Sequence, residues 1–173
     1  MAISFYDASI PSYLQTLQAV SGFLDKGLAH LREHGPSPEE LVETRLIADM
    51  HPFRFQIQLA VRHSVGAVEA IRSGVFRPPT ERPQYDYAQL QAHVADAIET
   101  LKKVTPAELN AREDADVVLE VMDRRLAFTA TDFLLSFSLP NFYFHATTAY
   151  DILRMKGVPV GKRDFMGQPR LKG

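Results

Sequence analysis

The sequence predicts an all-α protein: a four-helix bundle with one short extra helix and a small β-hairpin before the last long helix. Three observations predict it. Apolar residues recur at the spacing of one helix face over four long stretches. Caps and stops (serine, aspartate, proline, glycine) stand at the ends of those stretches. A single segment, "DVVLEVMDRRLAFTATDF", alternates instead.

The first helix is predicted from Ser9 to Glu33. Leu14, Leu17, Leu24, Leu28 and Leu31 form its stripe, and Ser21 completes the heptad spacing. Pro11 suits a first turn, where a missing N–H is harmless. His34-Gly35-Pro36 stops the helix. Ser37 with Glu40 makes a capping box for a short helix, Pro38 to about Thr44. A long helix then opens near Pro52 and ends at Gly74, with Phe53, Ile57, Ala60, Ser64, Ala67, Val68 and Ile71 on one face. The small residues on that face let a neighbouring helix come close.

"VFRPPTERPQYD" is a loop. Asp86 with Gln89 forms a second capping box, and Tyr87, Leu90, Val94, Ala97, Ile98, Leu101 and Val104 repeat at helical spacing. A third long helix is predicted from Tyr87 to Val104, and Thr105 with Glu108 marks a further helical turn. Val117, Leu119 and Val121, then Leu126 and Phe128, alternate as the arms of a hairpin. The last long helix runs from about Pro140 to Lys156, stopped by Gly157. Residues 158–173 are expected to be an irregular tail. Residues 1–173 thus form one domain, of the length one core can serve.

Composition excludes several function classes. Hydrophobic residues make up 46% and charged residues 23%, which argues against disorder. A net charge of −2 offers no basic surplus for phosphates, so no nucleic acid partner is expected. No apolar run is long enough to span a bilayer, and the opening "MAISFYDASIPSYL" predicts no signal peptide. There is no cysteine, hence no disulfide, cysteine-ligated zinc or thiol nucleophile, and a cytoplasmic location is expected.

Candidate site residues come from the inner faces. With about 100° per helical residue, Asn141, Ala149 and Ile152 lie within about 40° of His145, inside the apolar stripe. On the second long helix His63 lies about 20° from Gln56, beside Ala60 and Ala67. Such inward polar groups either fill satisfied slots in a core or line a site built between facing helices. His51 reads as exposed or as a local cap; His30, His34 and His93 read as solvated. No G-x-S-x-G, H-E-x-x-H or Walker-type phosphate loop is present.

Two segments, "RLIADMHPFRFQIQLA" and "LPNFYFHATTAYDILRMKGVPVGKRDFMG", resemble an uncharacterised domain-of-unknown-function family in the DinB/YfiT-like superfamily of proteins regarded as metalloenzymes. The resemblance covers nearly the whole chain. It implies a DinB-like four-helix bundle, often a homodimer. It also implies a nickel or zinc site of three histidines, one from the second helix and two from the fourth at i and i+4. His145 matches the later fourth-helix position, Asn141 stands at the earlier one, and Gln56 or His63 is the second-helix candidate. Amide side chains are poor ligands for zinc or nickel beside imidazole, so no cofactor is expected beyond a weak divalent metal at His145. The expected function is small-molecule binding in a polar pocket between the second and fourth long helices, lined by Gln56, His63, Asn141 and His145. The alternatives are a metal-dependent transferase or hydrolase using His145, and a non-catalytic stress or interaction protein with a degenerate metal site.

Overall fold

A computed structural model describes residues 3–34, 36–79 and 83–172. Its elements are α1 (Phe5–His34), α2 (Pro38–Glu43), α3 (Phe53–Arg62), α4 (Val65–Ser73), β1 (Val75–Phe76), α5 (Tyr87–Lys102), α6 (Pro106–Asn110), β2 (Asp116–Val121), β3 (Arg124–Thr129), α7 (Ala130–Asp132), a π-helical segment (Phe133–Ser138), α8 (Leu139–Met155) and α9 (Lys162–Met166). The fold is mostly helical with a small sheet, so the all-α expectation is corrected by a third strand. β2 and β3 form the expected antiparallel hairpin, with Leu119 opposite Leu126 and Val117 opposite Phe128. Met122 takes φ 53° in its turn. β1 adds to the other edge of β2, parallel, pairing Val75 with Val118 and Phe76 with Leu119.

Both capping boxes form. Ser37 accepts from the Glu40 N–H while Glu40 accepts from Ser37, and Asp86 and Gln89 do the same. α6 starts on Thr105, whose hydroxyl accepts from Glu108. Each cap satisfies backbone donors that the first helical turn leaves orphaned. α1 begins earlier than expected because Ser4 Oγ accepts from the Asp7 N–H at 3.1 Å. Pro11 therefore lies inside the helix, and its lost bond falls at the carbonyl of the exposed Asp7, where water can stand in.

α3 packs mainly on α8, and α1 packs on α5, α8 and α9. Ile10, Tyr13, Leu17, Phe23, Leu24, Phe53, Ile57, Leu90, Phe133, Phe142 and Ile152 share one buried core.

Three departures from the sequence reading matter for the site. The second long helix is broken at His63-Ser64 into α3 and α4. Ser64 Oγ donates back to the carbonyls of Ala60 and Val61, both at 3.0 Å, and such back-bonding bends helices. The last long helix begins before Pro140, because α7 and the π segment run into it. Proline has no N–H to continue an α ladder, and the wider i→i−5 turn, seen in the Leu139 N–H bonding to the Leu134 carbonyl, precedes it. Finally, the tail expected to be irregular carries α9. Val158 and Val160 are buried, Gln15 Nε2 donates to the Met166 carbonyl at 2.8 Å, and Lys26 pairs with Asp164. Among the described residues no helix is long and apolar enough to cross a membrane.

Candidate site between α3, α8 and the hairpin

α3 and α8 bring Gln56 and His145 together in the core. Gln56 is 1% exposed and His145 8%. His145 Nδ1 lies 2.7 Å from Gln56 Oε1, and Gln56 Nε2 donates to the His51 carbonyl at 2.8 Å. This chain fixes a proton. A backbone carbonyl only accepts, so the amide must aim its nitrogen at His51. Its oxygen then faces His145, whose Nδ1 must carry the hydrogen, leaving Nε2 as an acceptor. His51 itself is exposed, its ring 4.1 Å from that of Phe55, and its backbone carbonyl is what Gln56 bonds.

His63, at the C-cap of α3, stacks on His145 with ring centroids 5.8 Å apart and planes 15° apart. Phe76 of β1 and Phe137 of the π segment pack around the same ring, at 5.5 Å and 5.4 Å. His63 is 6% exposed, and its Nδ1 is buried with no hydrogen-bond partner among the described residues. Below it, Ser138 Oγ donates to the His63 carbonyl and lies 2.8 Å from the Tyr13 hydroxyl. The helix break and the π segment are thereby tied to one another.

Both rings are neutral at pH 7. Burial, then the neighbouring His145 and Arg62, pushes His63 down to about 3. Burial, then His51, pushes His145 down to about 4. Desolvation dominates in each case because the charged form gives up water without gaining a carboxylate.

Asn141 does not join the pair. It is half-buried and donates Nδ2 to the Phe137 carbonyl, one turn back, at 2.7 Å. The four expected residues therefore separate. Gln56 and His145 bond, His63 stacks on His145, and Asn141 closes its own helix. A cavity of about 240 Å³ opens beside His63, lined otherwise by Phe55, Leu59, Arg62, Phe76, Pro78, Pro79, Leu119, Val121 and Phe137, and by none of Gln56, Asn141 or His145. This cavity lies between α3, the π segment, the hairpin and β1, and of the four expected residues only His63 lines it. His93, expected to be solvated, is half-buried against Tyr85 at 5.3 Å, in a second cavity of about 290 Å³.

The sequence reading missed Arg62, which lines both cavities. Phe55, Leu59, Arg62 and Glu69 fall on one helical face, and that spacing would have found it. It also missed Ser138 and Tyr13, whose meeting no local pattern encodes.

The donor set does not fit a three-histidine metal centre. The Asn141 amide N–H is held by Phe137, and no three His, Cys, Asp or Glu side chains converge among the described residues. The arrangement offers a buried imidazole nitrogen, His63 Nδ1, with no partner among the described residues, beside an apolar cavity.

Comparison with known proteins agrees with this fold. Residues 5–166 match a domain of unknown function (DUF1993). A crystal structure of a DinB family member protein from Shewanella denitrificans superposes with a TM-score of 0.81 at 26% identity, covering 97% of this chain and 94% of that one. No curated protein matches the chain.

Proposed function

We propose that this chain, which belongs to the DUF1993 family, is a cytoplasmic, homodimeric protein that binds a small, mainly apolar molecule in the cavity beside His63. One observation carries the reading: His63 Nδ1 is buried without a partner among the described residues, beside a cavity whose other walls are largely aromatic and aliphatic. An orphaned polar atom costs about 1–3 kcal/mol, and a ligand that bonds to it returns that energy as affinity. Gln56 and His145 serve as the rigid back wall, since their bond fixes the ring on which His63 stacks. A cavity of about 240 Å³ lies at the small end of ligand sites, so the ligand is no larger than one or two rings.

The low pKa of His145, about 4, counts against a general base, whose pKa belongs near the working pH. Binding is therefore favoured over transferase or hydrolase chemistry.

The test uses 2-naphthol and naphthalene as matched probes, followed by the ring nitrogen signals of His63 in NMR titrations. A saturable shift at His63 is expected, with 2-naphthol the tighter ligand and its advantage gone in His63→Phe. No saturable shift, or equal affinity for the two probes, would refute the reading.

A further inference from the structure

The larger cavity, of about 290 Å³, adjoins the one beside His63 and shares Phe55, Leu59, Arg62 and Pro79 with it, but not His63. Phe55, Leu59, Val65, Pro83 and Tyr85 give it an apolar lining. Arg62 is the odd member. Among the described residues its one hydrogen bond runs from Nη2 to the Arg77 carbonyl at 2.5 Å. Its Nε is buried with no partner among the described residues. The guanidinium lies over the Phe76 ring, 4.5 Å from the centroid, which covers one face and leaves the N–H edges in the plane. Burial lowers its pKa from the ordinary value, a sign that the charge has lost water.

The partner one expects for such a cation is a carboxylate. Glu69 comes no nearer than 3.9 Å, and its side chain is 62% exposed. That contact is too long for a hydrogen bond, so Glu69 is a loose counter-ion that can swing into water. Gly66 completes the seat. A Cβ there would meet Arg62 Nη1 at 2.8 Å and Cδ at 3.0 Å, so glycine is what lets the arginine lie across the helix at the cavity wall.

We propose that this cavity is a second binding site, for a small monocarboxylate with a flat apolar body, whose carboxylate takes the Arg62 N–H donors in place of Glu69. Arginine offers a planar fork matched to a carboxylate, and the apolar lining takes the body. The site stands on Arg62 and does not depend on the reading of His63.

The test is calorimetric titration with 2-naphthoate and, as its neutral match, 2-naphthalenemethanol. The intact protein should bind the carboxylate about tenfold or more tightly than the alcohol, the scale of a charge-assisted bond in a partly dry site. Arg62→Met should erase that preference. Glu69→Gln, which removes the competing carboxylate and leaves the fold alone, should tighten 2-naphthoate and leave the alcohol unchanged. Equal binding of the two probes, absence of saturable binding, or weaker 2-naphthoate binding in Glu69→Gln would overturn the proposal. If Arg62→Met does not fold, the Glu69→Gln result decides alone. Because 2-naphthol at His63 is read from different signals, either site can fail while the other stands.

Discussion

Replacing Gln56 with leucine removes a buried amide at nearly constant volume. The perturbation falls on two bonds of unequal weight. The His51 carbonyl belongs to an exposed residue, so water can replace the lost donor there at little cost. His145 is 8% exposed, and its Nδ1–H would be left with no acceptor. An orphaned buried donor costs about 1–3 kcal/mol. For a domain of this length each kcal/mol lowers the melting temperature by about 2–4 °C, so the loss should lie between about 2 and 12 °C. His145→Leu orphans the other partner and should cost a similar amount. The double variant orphans neither group. It should be more stable than the summed single effects by about 2 kcal/mol or more, because removing both partners is close to neutral. Urea unfolding followed by far-ultraviolet circular dichroism measures all four proteins. Single effects that add to within about 0.5 kcal/mol would refute the reasoning, since independent sites add and bonded ones do not.

Acid should weaken the fold over a defined range. His63 and His145 titrate near 3 and 4 when folded and near 6.5 when unfolded, so the unfolded chain binds more protons in between. Their contribution is full above about pH 6.5 and falls on acidification towards pH 4, at up to about 1.4 kcal/mol per pH unit for each ring; denaturation midpoints across pH 4–7 should show it, and His63→Phe should flatten the slope. A homodimer is expected, with the exposed Tyr143 (39%) and Phe144 (55%) of α8 in the contact, and multi-angle light scattering at micromolar concentration should return twice the chain mass, falling in Phe144→Ser. Protein purified without a chelating column should carry less than stoichiometric zinc or nickel by elemental analysis; one ion per chain would reverse the reading of the donor set.

Local chemistry was the legible part of the fold. The boxes at Ser37/Glu40 and Asp86/Gln89 close over three residues, so spacing alone reveals them. The hairpin was legible for the same reason, its two arms being neighbours. The break at His63-Ser64 was hidden, because the apolar stripe of α3 continues through Ala67, Val68 and Ile71 of α4 without losing phase. β1 is two residues long and exists through pairing with Val118 and Leu119, far along the chain. α9 fully buries none of its own residues and is held by polar contacts to α1 and by Phe165 packing on Tyr150, too few contacts to leave a periodic trace. Angular position placed His145, Gln56 and His63 on inward faces, and all three are buried. It misjudged Asn141, which lies on the inward side of the wheel but turns its amide back onto Phe137.

The π segment sets the phase of everything after it. A turn that closes i→i−5 holds one residue more than an α turn, and one residue is about 100° of rotation. Phe142, His145, Ala149 and Ile152 point inward because that extra residue lies upstream of them. The length of the stretch from Phe133 to Ser138 is therefore information in its own right, separate from its composition. A one-residue deletion there would restore an ordinary helix, yet turn His145 about a quarter of a revolution away from Gln56, and the buried Phe142, Ala149 and Ile152 with it.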